Sequence, residues 1–168
     1  MSVLHVLDRG QALAFSFEDM LRYHGPGSPG GVAHAFKVME RAFGLLEPER
    51  PLERRELTVA TAFGGPGARD GFELVTRAVT EDRYVLEPEL ARPERGVTLE
   101  RFVFRVGYRE RDVTLTVREG YVPDELIALA RKERTTAEEQ RLDVVKAEMA
   151  ELVMSSRAAE VYDATGRA

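Results

Sequence analysis

Five segments of the chain carry the signals of helices, either apolar residues at intervals of three and four or residues that begin a helix. The predicted helices begin at Ser16, Val32, Ala68, Pro123 and Thr135. Apolar positions from Val32 to Phe43 share one face of the second helix. In the last helix, Thr135 and Glu138 have the spacing of a capping box. The narrow apolar stripe that follows predicts a seam, either against the body of the domain or against a second protein chain. This stripe consists of Leu142, Val145, Met149 and Leu152.

Alternating residues predict the strands. From Leu57 to Phe63, apolar positions alternate with weakly polar ones, which indicates a strand covered on both faces. Residues 84–86 form a short apolar piece, and residues 102–106 and 113–117 predict a hairpin. The resulting order is helix, helix, strand, helix, hairpin, helix, helix. It predicts a mixed α+β fold, with a small sheet packed by helices and a helical C-terminal extension.

The composition limits the classes of protein that remain. The chain has 168 residues and a net charge of −5, which argues against a nucleic-acid surface. It contains no cysteine, so disulfides, cysteine-ligated metals and iron–sulfur clusters are excluded. No apolar run reaches the ~20 residues that cross a membrane. Residues 1–10 lack a basic start and a small-residue cleavage site, so we expect no signal peptide and a cytoplasmic location.

Two glycine-rich corners are the candidate sites. Residues 23–31 separate two helices, and residues 63–71 join a strand to a helix. Both place small residues before a helix N-terminus, where free N–H groups can hold an anion. The candidate ligand-binding residues are His24, Ser28, Gly67, Arg69 and Asp70. Ordinary glycine and proline turns are the alternative interpretation of both corners. Neither corner has a phosphate-loop or dinucleotide-binding pattern. His34 is predicted to be a helix-packed, hydrogen-bonded histidine, and His5 a structural or exposed one.

Three segments together resemble one family. Residues 23–30 (Tyr-His-Gly-Pro-Gly-Ser-Pro-Gly) resemble the His-Gly-His-x-Cys-Pro-Gly segment of the FmdE-like proteins, the family of the E component of formylmethanofuran dehydrogenase. Residues 67–76 (Gly-Ala-Arg-Asp-Gly-Phe-Glu-Leu-Val-Thr) are similar to the family's Cys-Ala-x-Asp-Ala segment and its apolar helix. Residues 101–104 and the hairpin beyond them are similar to its Ala-Phe-x-Phe strands. The resemblance covers roughly residues 15–120. It implies a fold like that of the C-terminal domain of glyceraldehyde-3-phosphate dehydrogenase, often assembled as a homodimer.

The departures from the family pattern concern the metal ligands. His24 and Asp70 keep the family's residues, whereas Pro26, Ser28 and Gly67 replace a histidine and two cysteines. Stable zinc sites usually carry about three or four protein ligands, so the remaining set indicates a degenerate metal site. A different divalent metal, held by His24, Asp70 and His34, is the alternative. We therefore divide the chain into an FmdE-like core over residues 1–122 and a helical extension over 123–168, which packs on the core or on a partner protein.

The resemblance and the corners lead to three functional hypotheses. In the first, the chain is a small-ligand, anion or metal-binding module or a component of a larger assembly. His24 then forms a hydrogen bond, Ser28 and glycine N–H groups contact an anion, Arg69 supplies charge, and Asp70 orients His24 or caps the third helix. In the second, the chain is a small hydrolase or acid/base enzyme that uses His24, with Asp70 or Glu73 as its carboxylate partner. In the third, it is a structural protein that docks through its last helix, residues 135–153.

Overall fold

A computed structural model describes residues 2–166 of the chain. The helices are α1 (Phe17–His24), α2 (Pro29–Leu46), α3 (Pro66–Thr76), α4 (Asp124–Ala130), α5 (Thr136–Ser155) and α6 (Ala158–Val161). The strands are β1 (Val3–Asp8), β2 (Gln11–Ser16), β3 (Leu52–Glu53), β4 (Leu57–Thr61), β5 (Tyr84–Leu86), β6 (Val103–Tyr108), β7 (Arg111–Val117) and β8 (Tyr162–Thr165). Short 3-10 turns cover residues 54–56, 88–90 and 93–95.

The strands form two sheets. The larger sheet has the order β5-β4-β6-β7-β8, in which β4 and β5 are parallel and the other neighbours are antiparallel. The smaller sheet has the order β2-β1-β3. The predicted mixed α+β class, with small sheets packed by helices and a C-terminal helix, is confirmed. In the described part of the chain, no helix combines the length and the apolar character that a membrane span requires.

Helix α2 lies at the centre of the core. Residues 30–39 of this helix are all buried, so it is covered on every side, as a helix with almost no polar face must be. It packs against α3 and α5 and against strands β6 and β7. Lys37 lies in this buried stretch, and its ammonium pairs with Glu40 at 3.0 Å.

Helices α1 and α5 each have a capping box at their N-terminus. The Ser16 hydroxyl accepts from the Asp19 amide at 3.1 Å, and the Asp19 carboxylate accepts from the Ser16 amide at 2.9 Å. Thr135 and Glu138 form the equivalent pair at the start of α5, as their spacing predicts. Because a capping box satisfies two helix-terminal N–H groups with nearby side chains, its sequence signal marks the start of a helix without tertiary information.

The stripe of α5 is a seam against the body of this chain. Leu142, Val145 and Met149 are buried, and α5 packs on α2. The prediction places Leu152 in the same stripe, but Leu152 is exposed and the neighbouring Val153 is buried instead. Of the two interpretations of the stripe, the seam within one chain is therefore observed. The outer face of α5 leaves Val144 and Leu152 in solvent.

The sequence pattern misses strands at both ends of the chain. The predicted order begins with a helix, whereas the chain begins with the β1–β2 hairpin, whose turn places Arg9 and Gly10 at φ angles of 52° and 82°. Arginine is not a usual residue for such a turn, so the signal is weak. The prediction makes the segment after Pro123 helical throughout, but it ends in β8, which pairs with β7 and buries Tyr162. The division at residues 122 and 123 stays a prediction.

One buried arginine connects the N-terminal hairpin to α3. The Arg54 guanidinium donates to the carbonyl oxygens of Leu74 and Val75 at 2.8 and 3.0 Å and to the Asp8 carboxylate at 3.2 Å. The carbonyls in the last turn of a helix have no partner within the helix. Arg54 satisfies two of them, and so fixes the end of α3 against β1.

Candidate functional site

The two glycine-rich corners lie against each other, as the hypothesis of a shared site requires. A methyl group on Gly67 would lie 2.5 Å from the carbonyl oxygen of Ser28 and 3.1 Å from the amide nitrogen of Val32. A methyl group on Gly31 would lie 3.1 Å from the amide nitrogen of Ala68. The corners thus meet through direct backbone contact. Their glycines serve the close approach of α2 to α3, and backbone atoms fill the space between them.

At the edge of this contact, His24 pairs with Asp70. Nδ1 of His24 lies 2.8 Å from Oδ2 of Asp70, across 46 residues of sequence. His24 is the last residue of α1, and Asp70 lies in α3. The two helices pack closely where Met20 lies over Gly71, because a methyl group on Gly71 would come within 2.7 Å of the Met20 side chain. The contact of α1 with α3 therefore brings the two residues together.

This pairing determines the tautomer of the neutral imidazole. A carboxylate only accepts hydrogen bonds, so the Nδ1 atom of His24 carries the proton that it donates to Asp70. In the neutral ring, Nε2 then bears a lone pair. The His24 side chain is 8% exposed, and its Nε2 atom is buried without a hydrogen-bond partner among the described residues. Buried polar atoms are usually satisfied, so this nitrogen is an exception that needs an explanation.

The loop after α1 covers the unpaired nitrogen. A methyl group on Gly27 would lie 3.9 Å from Nε2 of His24, and Gly25 has a φ angle of 89°. Lys146 of α5 donates its Nζ proton to the Gly27 carbonyl at 3.1 Å. Helix α5 thus holds the loop over the imidazole of His24. No local sequence signal points to Lys146, because its partner lies 119 positions away.

The other residues predicted for the site differ in their partners. Nε of Arg69 lies 3.5 Å from Oδ1 of Asp70, and its side chain is 54% exposed. Ser28 occupies the N-cap position of α2 without a side-chain capping bond. Glu73 is engaged elsewhere, because its carboxylate accepts from the Thr80 amide at 2.9 Å. The cap of α3 is Gly65, so Asp70 does not cap this helix but bonds to His24.

His34 is the buried, hydrogen-bonded histidine that the sequence predicts. Its Nε2 lies 3.2 Å from the Tyr121 carbonyl oxygen, which only accepts, so Nε2 carries the proton. Nδ1 then accepts from the Tyr162 hydroxyl at 2.8 Å. Burial lowers the pKa of His34 to about 4. Because both ring nitrogens are engaged, His34 is not available as a second ligand beside His24. His5, on β1, is exposed.

Within residues 2–166, no three histidine, aspartate or glutamate side chains come together in a way that could hold a metal ion. No protein-family model matches the chain, and the search of curated proteins found no match to its sequence.

Proposed function

We propose that this chain is a small-ligand-binding module related to the FmdE-like proteins, and that Nε2 of His24 is the atom that contacts the ligand. The observation that carries the proposal is the buried Nε2 of His24, which has no hydrogen-bond partner among the described residues, while Nδ1 of the same ring is held by Asp70 at 2.8 Å. The pair comes from two of the three segments on which the resemblance depends. At both positions this chain keeps the residue of the family pattern.

The chemistry of the pair favours a neutral or weakly acidic ligand. Asp70 fixes the proton on Nδ1, so Nε2 accepts a hydrogen bond from an O–H or N–H group of the ligand. A metal ion at Nε2 would have a single imidazole, with Asp70 already engaged, whereas zinc sites usually carry about three or four protein ligands. Asp70 would then act only as the carboxylate that orients a metal-bound histidine. Arg69 supplies a positive charge beside Asp70 for an acidic ligand.

An acid/base enzyme is the second candidate, and the same pair favours it. A histidine with one nitrogen held by a carboxylate and the other free is the arrangement of a general base. Proton transfer would need a substrate within about 3 Å of Nε2. The Gly25–Ser28 loop covers that nitrogen, so access requires the loop to move.

The test follows the two ring nitrogens of His24 by ¹⁵N NMR. Zinc chloride, acetamide and inorganic phosphate are titrated separately into histidine-labelled protein at millimolar concentration. We expect a saturable shift of the Nε2 signal of His24 with acetamide or phosphate, whose N–H or O–H group can donate to this nitrogen. In Asp70→Asn a neutral amide replaces the carboxylate and the charge-assisted bond to Nδ1 is lost, so we expect the affinity to fall about tenfold, the equivalent of one charge-assisted hydrogen bond.

His5→Gln is the matched control, because it removes an exposed histidine that lies on β1, away from the His24–Asp70 pair. This variant should leave the titration unchanged. If none of the probes moves the Nε2 signal, or if Asp70→Asn binds as tightly as the original protein, the proposed binding site is wrong. A shift with zinc alone would make the site a metal site and contradict the small-molecule assignment.

A further inference from the structure

A separate cavity of about 320 Å³ opens beside the second glycine-rich corner. It is lined by Phe63, Gly65, Thr98, Arg101, Phe102 and Arg131, among others. Neither His24 nor Asp70 belongs to this lining, so the cavity is independent of the proposed His24 site. Its volume is at the lower end of the range for pockets that bind small molecules.

One wall of the cavity is aromatic and apolar. The rings of Phe63 and Phe102 are stacked, with centroids 4.3 Å apart and an interplanar angle of 28°. Phe102 is buried, while Phe63 is only half-buried. Val97, at 57% exposure, extends the apolar surface towards solvent. This wall presents accessible apolar area next to a rigid aromatic pair, which suits the apolar body of a ligand.

The charged groups of the cavity are positive. Arg101 and Arg131 are exposed, and neither guanidinium forms an ion pair with any residue in the part of the chain that the structure describes. Among the described residues, no aspartate or glutamate lines the cavity, although the chain carries a net charge of −5. The larger neighbouring groove, of about 870 Å³, shares Arg131 but also contains acidic side chains.

The start of α3 adds to this positive field. Gly65 is the N-cap residue of α3 and lines the cavity, and this N-terminus has no side-chain cap. The positive end of a helix dipole favours an anion nearby. Two guanidinium groups without an ion-pair partner among the described residues and an aromatic wall therefore line one small space beside the start of α3.

We infer that this cavity binds a small organic anion, a carboxylate or phosphate group attached to an apolar or aromatic body. The anionic group lies between Arg101 and Arg131, where planar guanidinium groups pair with its oxygens. The apolar body lies against Phe63. An inorganic anion would leave the aromatic wall unused, and a neutral ring would leave both arginines unpaired.

Phenyl phosphate is the probe that tests this inference, with inorganic phosphate and phenol as its two halves. Titration calorimetry and NMR of the intact chain should show saturable binding of phenyl phosphate at millimolar concentration or below. Both halves should bind at least about tenfold more weakly, the loss expected when one charge-assisted or apolar contact is missing. The affinity for phenyl phosphate should fall as salt is added.

The double variant Arg101→Gln/Arg131→Gln should weaken phenyl phosphate binding by about tenfold or more, because it removes both charge-assisted contacts. Its matched control is Arg9→Gln/Arg92→Gln, which removes two exposed arginines outside the cavity and should leave binding unchanged. Phe63→Leu, which removes the ring but keeps an apolar side chain, should weaken binding several-fold. The inference is overturned by an absence of saturable binding, by equal binding of either half, or by an equal effect of the two double variants.

Discussion

Replacing Gly67 with alanine is expected to lower the free energy of unfolding by about 2 to 3 kcal/mol, within the range for overpacked interiors. The new methyl group would lie 2.5 Å from the Ser28 carbonyl oxygen and 3.1 Å from the Val32 amide nitrogen. Both are backbone atoms, so no side chain can rotate to make room. The N-terminal ends of α2 and α3 must separate. Chemical denaturation followed by circular dichroism measures the loss.

Gly44→Ala is the matched control, because Gly44 lies on the exposed side of α2 and a methyl group there meets nothing within 4 Å. It should stabilise the protein by about 0.5 to 1 kcal/mol, the helix-propensity difference between glycine and alanine. If Gly67→Ala is as stable as the original protein, the close contact between the corners is wrong. In that case the joint placement of His24 and Asp70 loses its structural basis as well.

The stability of the protein is expected to rise between pH 4 and pH 6.5 because of His34. Burial lowers the pKa of His34 from 6.5 to about 4 in the folded state, so the unfolded chain binds more protons in this window. The contribution is fully present above pH 6.5 and is lost as the pH falls through the folded-state value. This difference in the pKa of His34 raises the free energy of unfolding at neutral pH by about 3 kcal/mol relative to the acidic end of the window. Denaturation curves across the window measure it.

His34→Gln should abolish most of this pH dependence, because glutamine can both donate to the Tyr121 carbonyl and accept from Tyr162, but does not titrate. His5→Gln, which removes an exposed histidine, should keep the pH dependence of the original protein. An unchanged slope in His34→Gln would show that His34 is not the titrating group. The hydrogen bond between His34 and Tyr162 also connects α2 to β8.

Local signals predict a large part of the fold. Ser16 and Asp19 mark the start of α1, Thr135 and Glu138 mark that of α5, and the pair of alternating segments corresponds to β6 and β7. All of these signals depend on residues within a few positions of one another. The N-terminal hairpin and β8 escape prediction because short strands gain their stability from partners elsewhere in the chain.

The same contrast between local signals and long-range contacts holds for the candidate site. The sequence selects His24 and Asp70 as separate residues of two corners, and it leaves open whether Asp70 orients His24 or caps a helix. The interaction of α1 with α3 decides between these roles, since it places the two side chains 2.8 Å apart. The sequence predicts that Gly67 contacts a ligand, whereas this glycine accommodates the backbone of the neighbouring corner.

The sequence by itself determined the class of fold, the beginnings of the capped helices, the absence of cysteine chemistry and the residues from which a site can be built. Only the tertiary structure decided that Lys146 holds the loop over His24, that His34 is buried with Tyr162, and that Arg101 and Arg131 share a cavity with Phe63. The physical reason is distance along the chain. Capping and periodicity are interactions between near neighbours, whereas burial, pairing and cavities arise from segments that meet only after the helices have packed.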